Sequence, residues 1–337
     1  MPKTKKPIAV AIIGCGDIAG RYDERKTDSG VFSHAMAYKS VPGIKIASAF
    51  DTNAKRLNRF CEYWGVEQKA SSFDDIVSGR YDIISVCTPD ATHERIVEKI
   101  LRNGSARYVW VEKPLATSAL AAEKLIKLAR KREIGLWLTN QRRWEPCHAK
   151  MRELIRGGGL GELVHATGYY VKGMTHIGCT LIDTLRYLCG DVGWVRAYPP
   201  FNTGSYGADH SLVGALGFVR GGSASIVGCD KEKYIYSIFE IDIMGTHGRI
   251  RITSNGDIIS IYNVGSYGRY SGFGELRLIK TLKTEMKWSM KYGAEKLIEA
   301  LVSGRVSDEY AKEGLTDLRV VDAFKRSARR GGVLICL

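Results

Sequence analysis

The chain has 337 residues, 45% hydrophobic and 26% charged, which is the balance of a soluble globular protein with room for one large domain or two ordinary ones. No apolar run approaches the roughly 20 residues that cross a bilayer, so a helical membrane protein is excluded. The formal net charge of +14 fits an anionic small ligand, an anionic membrane or nucleic acid.

The basic residues are spread along the chain, apart from 3–6 and the pairs at 142–143 and 329–330. No DNA-reading helix or aromatic–basic RNA motif accompanies them, and neither a nucleic-acid nor a membrane partner is expected. The start, MPKTKKPIAVAIIGCG, has too short an apolar part for a signal peptide and reads as a tail followed by a first strand. Eight cysteines are scattered with no CxxC pair, which fits reduced buried thiols and a cytoplasmic location. No His/Cys/Asp cluster has zinc spacing, so no metal is expected.

In chain order, strands at 8–14, 45–51, 81–89, 107–114 and 134–140 alternate with helices at 52–65, 72–79, 91–104 and 117–133. That alternation predicts a doubly wound parallel sheet over residues 1–140. A polar stretch at 21–33 interrupts the helix expected after the first strand and reads as a lid or a surface loop. Beyond residue 140 come a helix at 146–156, a strand at 162–171 and a helix at 178–189. Hairpins follow about Gly221-Gly222 and at GTHG, with a third turn at Asn255-Gly256, and together they read as an antiparallel meander. A glycine- and tyrosine-rich loop at 265–275 precedes two helices at 284–303 and 310–331, so 141–337 forms a second α/β domain with an open, mostly antiparallel sheet.

GCGDIA at 14–19 follows the first strand and opens a helix. Gly14 and Gly16 allow a tight turn and close approach of a pyrophosphate, which Asp17 and Ile18 at the helix start would face. Asp51 ends the second strand, where a carboxylate can bond an adenosine ribose. It favours NAD, while Lys55 and Arg56 nearby keep NADP open. Thr88, Pro89 and His93 follow one strand end, and Glu112 and Lys113 follow the next. Ligands of open α/β sheets bind beyond such ends, so Lys113 is a candidate acid–base group.

Together, GCGDIA, SVCTPDATH, VEKP, NQRRWEP and a GxxxxID helix resemble the Gfo/Idh/MocA family of glucose-fructose oxidoreductase-like and inositol dehydrogenase-like enzymes. The resemblance runs from residue 8 to the tail segment EGLTDLRVVDAFKRSARRGG. It implies a Rossmann domain followed by an α/β domain, and NAD(P)-dependent hydride transfer on a hydroxyl of a sugar, inositol or nucleotide sugar. The family lysine matching Lys113 is catalytic, and its bond to proline is often cis. Arg142, Arg143 and Tyr170 then fall among expected substrate residues. His34, His165, His210 and His247 carry no role beyond packing or surface.

The stretch THIGCTLID, residues 175–183, carries the family's GxHxxD helix with one change. Gly178 and Asp183 match, but Thr180 stands where the proton-accepting histidine belongs. A threonine hydroxyl is far too weakly acidic to serve as a base. If the stretch is one α-helix, His176, Thr180 and Asp183 fall at i, i+4 and i+7 on one face. Three readings follow: Lys113 takes the proton, His176 takes it, or the chain binds NAD(H) as a sensor without turnover. An open second-domain sheet leaves an apolar face that a homodimer or homotetramer would cover.

Overall fold

The computed structural model describes residues 7–24, 29–229, 238–266 and 272–337. The lysine run at 3–6, the middle of the 21–33 stretch, the start of the second hairpin and the centre of the 265–275 loop lie outside the described residues. Two compact units result, one of Met1–Trp144 with Lys287–Leu315 and one of Glu145–Met286 with Thr316–Leu337. Thus residues 287–315, expected in the second domain, fold with the first unit.

In the first unit, β1 (Ile8–Ile13) leads through a π-helical turn (Asp17–Arg21) into α1 (Tyr22–Glu24) and α2 (His34–Lys39). Next come β2 (Ile44–Phe50), α3 (Ala54–Trp64), β3 (Gln68–Lys69), α4 (Phe73–Ser78) and β4 (Ile83–Val86). Then follow α5 (His93–Asn103), β5 (Tyr108–Val111), α6 (Ala119–Lys131), β6 (Gly135–Leu138) and α7 (Gln141–Trp144). The six strands are all parallel, in the order β3-β2-β1-β4-β5-β6. Every residue of β4, β5 and β6 is buried, as a sheet flanked by helices on both faces requires. Helix starts follow local chemistry: Asn53 caps α3, and Ser72 forms a capping box with Asp75 on α4. The described ends of the 21–33 stretch are pinned, because the buried Asp23 carboxylate accepts from Ser33 Oγ at 2.5 Å and from the Phe32 amide at 3.1 Å.

The second unit holds α8 (Pro146–Arg156), β7 (Leu163–Val171), α9 (Cys179–Cys189) and β8 (Val192–Tyr198). A short pair, β9 (Ser205–Tyr206) and β10 (Asp209–His210), leads to β11 (Val213–Phe218) and β12 (Ser223–Cys229). The strands β13 (Glu240–Gly245), β14 (Gly248–Thr253), β15 (Ile258–Ser266) and β16 (Gly274–Lys283) follow. Helix α10 (Ser289–Val302) belongs to the first unit, where it packs on α2 and α7. Helix α11 (Glu309–Arg329) ends in the second unit, and β17 (Ile335–Cys336) closes the chain.

The nine-stranded sheet runs β16-β15-β14-β13-β7-β12-β11-β8-β17. All expected hairpins form, but the sheet is not a pure meander: β7 and β12 are parallel. The chain leaves β7 through α9, β8 and β11 before reaching β12, and a parallel neighbour needs that kind of long crossover. Leu181, Ile182, Leu185 and Leu188 of α9 share one core with Ala166, Ile226, Ile243 and Phe324.

Candidate active site

In the first unit, the backbone makes the cradle. Gly14 has φ +85°, and a Cβ there would lie 2.8 Å from the Cys87 carbonyl oxygen, so only glycine fits. Gly16 differs: a Cβ would meet nothing within 4 Å. The protein leaves that space open, as a pyrophosphate at this turn needs, so the residues present fit a dinucleotide. Asp17 is exposed and pairs with Arg21 at 3.8 Å, while Ile18 is half-buried.

Asp51 is buried and already holds four donors. The Cys15 and Asn53 amides reach it at 2.8 and 2.7 Å, and Arg56 binds both oxygens at 3.1 and 2.8 Å. Burial raises the Asp51 carboxyl, but the Arg56 guanidinium and the two amides outweigh it and hold it below the usual aspartate range. Arg56 therefore stands at the carboxylate that would meet the ribose. The NAD preference read from Asp51 alone becomes a contest between an acid and a guanidinium.

The ends of β4 and β5 are tied together by His93. Its ring is fully buried, with Nδ1 2.6 Å from the Pro114 carbonyl oxygen and Nε2 2.8 Å from that of Thr88. Expected to touch cofactor, His93 instead clamps the two loops that carry Thr88, Pro89, Glu112 and Lys113. Pro89 is exposed, and Thr88 Oγ1 accepts from Thr92 at 2.8 Å. The Lys113–Pro114 bond is cis.

Glu112 lies in a buried network. Its Oε1 accepts from His34 Nε2 at 2.9 Å and from Thr139 Oγ1 at 2.7 Å, and Thr139 in turn accepts from Trp110 Nε1 at 2.9 Å. His34 Nδ1 meets Ser85 Oγ at 3.2 Å, and Ser85 shares a 2.6 Å hydrogen bond with the Tyr38 hydroxyl. Burial pushes the Glu112 carboxyl up, yet His34, Thr139 and the neighbouring Lys113 charge bring it below the usual glutamate range. His34 was expected only to pack. On the helix that follows the Ser33 cap, His34 and Tyr38 sit at i and i+4, on one face.

Arg143 is ion-paired to Glu313 at 3.0 Å with its side chain largely buried, so its charge is answered inside the first unit. Arg142 is half-buried on α7, and Trp144 joins an aromatic cluster with Trp110, Trp137 and Tyr310.

In the second unit, the stretch 175–183 is not one α-helix, and the helix expected at 178–189 forms from Cys179. Residues Gly173–Gly178 form a π-helical turn, and α9 begins only at Cys179. The Asp209 carboxylate holds this turn, accepting from the Thr175 and His176 amides at 2.7 and 2.9 Å and from Thr175 Oγ1 at 2.8 Å. Lys325 of α11 completes the knot, bonded to Thr175 Oγ1 and 3.2 Å from Asp209. The half-buried His176 ring stacks on Tyr206, centroids 4.3 Å apart and planes at 16°.

Asp183 is buried on α9. Thr180 Oγ1 is buried and has no hydrogen-bond partner among the described residues. A buried hydroxyl left unbonded is costly, and a ligand would repair it. Tyr170, expected at the substrate, is a core residue. Its fully buried hydroxyl donates to the Leu212 carbonyl at 3.0 Å and accepts from the Leu212 amide at 2.8 Å. A cavity of about 320 Å³ opens in this unit among Phe201, His210, Leu212, Lys325 and Arg329. Among the described residues, no group of three or more His, Cys, Asp and Glu could hold a metal, and no helix is long and apolar enough to cross a membrane.

Residues 8–139 match an oxidoreductase family with an NAD-binding Rossmann fold, and residues 171–337 match that family's C-terminal alpha/beta domain. Inositol 2-dehydrogenase of Rubrobacter xylanophilus is 30% identical over 166 residues, 48% of this chain and 44% of its own length, so the chain spans less than half of that relative. D-apiose dehydrogenase of Paraburkholderia graminis is 21% identical over 277 residues, 75% of this chain and 69% of its own length. Among solved structures, levoglucosan dehydrogenase in complex with NADH and L-sorbose superposes with TM-score 0.80 at 16% identity, covering 98% of both chains. The WlbA dehydrogenase from Bordetella pertussis, in complex with NADH and UDP-GlcNAcA, gives 0.77 at 21% identity, covering 100% of this chain and 99% of its own. At these identities the structural likeness speaks to the fold.

Proposed function

The chain belongs to the Gfo/Idh/MocA family of NAD-binding oxidoreductases, and on that premise we propose that it moves a hydride between nicotinamide and a ring hydroxyl of a sugar, cyclitol or nucleotide sugar. The bound dinucleotide supplies the hydride acceptor or donor, and the chain's own residues handle the proton and the orientation. Lys113 bonds the reacting hydroxyl and takes its proton as the hydride leaves the same carbon, then returns it in the reverse direction. Asp183 bonds a substrate hydroxyl, Thr180 donates or accepts a second such bond, and Arg142 and His176 contribute further contacts. The observation that carries this reading is the Glu112 carboxylate, buried and hydrogen-bonded on the residue next to Lys113 at the end of β5.

Asp51 and Arg56 together support NAD with NADP as a competitor. The net charge of +14 favours an anionic substrate such as a nucleotide sugar. All eight cysteines are free thiols, which supports a reducing, cytoplasmic setting. The edge ladder β15–β16 exposes Val264, Leu276, Leu278 and Ile279, and this supports a homodimer or homotetramer formed through the second sheet. A chain that sediments as a monomer at micromolar concentration would remove that part.

The test loads the protein with NAD⁺ and follows nicotinamide absorbance as sugars, inositols and UDP-, GDP- and dTDP-linked sugars are added. Reduction by one class names the substrate. Thr180, in place of a histidine, favours a second reading, an NAD(H)-binding sensor. NAD⁺ binding with no reduction by any compound, and no NADH oxidation by keto-sugars, would select it.

A further inference from the structure

The loop after β8, the strand β10 and the last turns of α11 line the cavity of about 320 Å³ in the second unit. Lys325 and Arg329 sit at i and i+4 of α11, on one helix face, with Ala328 between them. Like charges at that spacing repel each other, and only one of the two is answered. Lys325 is bonded to Thr175 Oγ1 and lies 3.2 Å from Asp209. Arg329 donates from Nε to the Lys325 carbonyl oxygen at 3.3 Å, as a basic residue does at a helix C-terminus. Its two terminal nitrogens have no partner among the described residues. The exposed His210 ring adds a further polar edge, and no acidic residue lines the cavity among the described residues. Opposite in character are the buried Leu212 and the half-buried Phe201 and Ala328, which make the rest of the lining largely apolar.

A guanidinium fork matches two oxygens of a carboxylate or phosphate, and an aromatic side chain beside it matches a flat ring. Small-molecule sites run from about 300 to 1,000 Å³, so a cavity of about 320 Å³ takes one ring with its head group and not a dinucleotide. We propose that this cavity is a binding site for a small aromatic anion, a carboxylate or phosphate monoester carried on a single ring. The Arg329 fork holds the head group, Lys325 adds its charge, and the ring lies against Phe201 and Leu212. The site shares no residue with the glycine turn of the first unit and does not depend on the proposed reaction.

The experiment is calorimetric titration of the full chain, kept in saturating NAD⁺ so that the dinucleotide turn is occupied. The probes are phenyl phosphate, benzoate and inorganic phosphate. Wild type takes up at least one of the two ring anions at a single site, and more tightly than inorganic phosphate. Arg329→Gln weakens that binding about tenfold, the worth of one lost charge-assisted pair. Ala328→Phe fills the cavity and removes the binding. Arg102→Gln, which takes one exposed charge from the first unit, leaves it unchanged. No saturable binding of either ring anion up to about 10 mM overturns the inference. So does binding that Arg329→Gln or a folded Ala328→Phe leaves unweakened. Equal weakening by Arg102→Gln also overturns it, because that marks a general attraction to the net charge of +14. Inorganic phosphate bound as tightly as both ring anions overturns it as well. If Ala328→Phe does not fold, Arg329→Gln decides, since Arg329 is exposed.

Discussion

The two units hold their candidate site residues with different materials. The first uses main chain: a glycine turn, two strand ends and a buried histidine that bonds two backbone carbonyls. The second uses side chains drawn from far apart in sequence, with Thr175, Asp209 and Lys325 knotting one π-helical turn. Main-chain geometry demands particular residues at particular spacings. A side-chain knot accepts many residue sets, so it leaves a weaker mark in the sequence.

The comparison is broken most severely at Lys113. Lys113→Ala should lower kcat/KM about a thousandfold or more while NAD⁺ still binds, because a group that moves a proton in the transition state contributes about 10²–10⁴. Retained turnover would mean that the second unit carries the acid–base chemistry. The next effect falls on the second unit's scaffold. Arg186 of α9 pairs with Asp317 at 2.6 Å, both side chains 5% exposed. Asp317→Ala leaves a buried guanidinium short of a partner and should cost about 3–5 kcal/mol in denaturant titration.

Gly16→Val sharpens the contrast from the other side. The added side chain enters open space, so melting should hold while NAD⁺ affinity falls about tenfold. Unchanged affinity would show that the pyrophosphate does not use this turn. Thr180→Val should act in opposite directions on two readouts. Removing a buried, unbonded hydroxyl should raise stability by about 0.5–1 kcal/mol, while kcat/KM falls about tenfold.

The smallest effect is in mild acid. Glu145 caps α8, bonded to His148 Nδ1 at 2.7 Å and to the His148 and Glu285 amides. Burial raises its carboxyl, but these donors hold it down at about 2. A depressed carboxyl contributes stability above the ordinary glutamate range and loses it as pH falls toward the folded value. Glu145→Gln should therefore flatten the acid limb of a melting-temperature profile between about pH 5 and 3.

The first unit was legible because its strands are continuous apolar runs and its turns are glycine-dependent, so period and punctuation carry the fold. Lys113, Asp51 and the glycine turn followed from their places at strand ends. His34 did not, because its partner Glu112 is 78 residues away and the polar 21–33 stretch hides the helix that presents it. In the second unit the hairpins were readable from their turns. The parallel β7–β12 pair was not, since a crossover leaves no local mark. Tyr170 and Tyr169 alternate on one strand, and nothing in the sequence says that the Leu212 backbone waits for the Tyr170 hydroxyl. The π-helical turn was equally hidden: THIGCTLID has helical spacing, and a wider turn changes no residue type.

The most direct test follows an isotope. A substrate found to reduce NAD⁺ is prepared with deuterium on the carbon that bears its reacting hydroxyl. The reduced nicotinamide is then examined by mass spectrometry, with wild type and Lys113→Ala run in parallel. The account predicts one deuterium on the nicotinamide from wild type and almost none from the variant, with NAD⁺ binding equal in the two. Deuterium transfer undiminished in Lys113→Ala, or reduced nicotinamide that carries no deuterium, would contradict it.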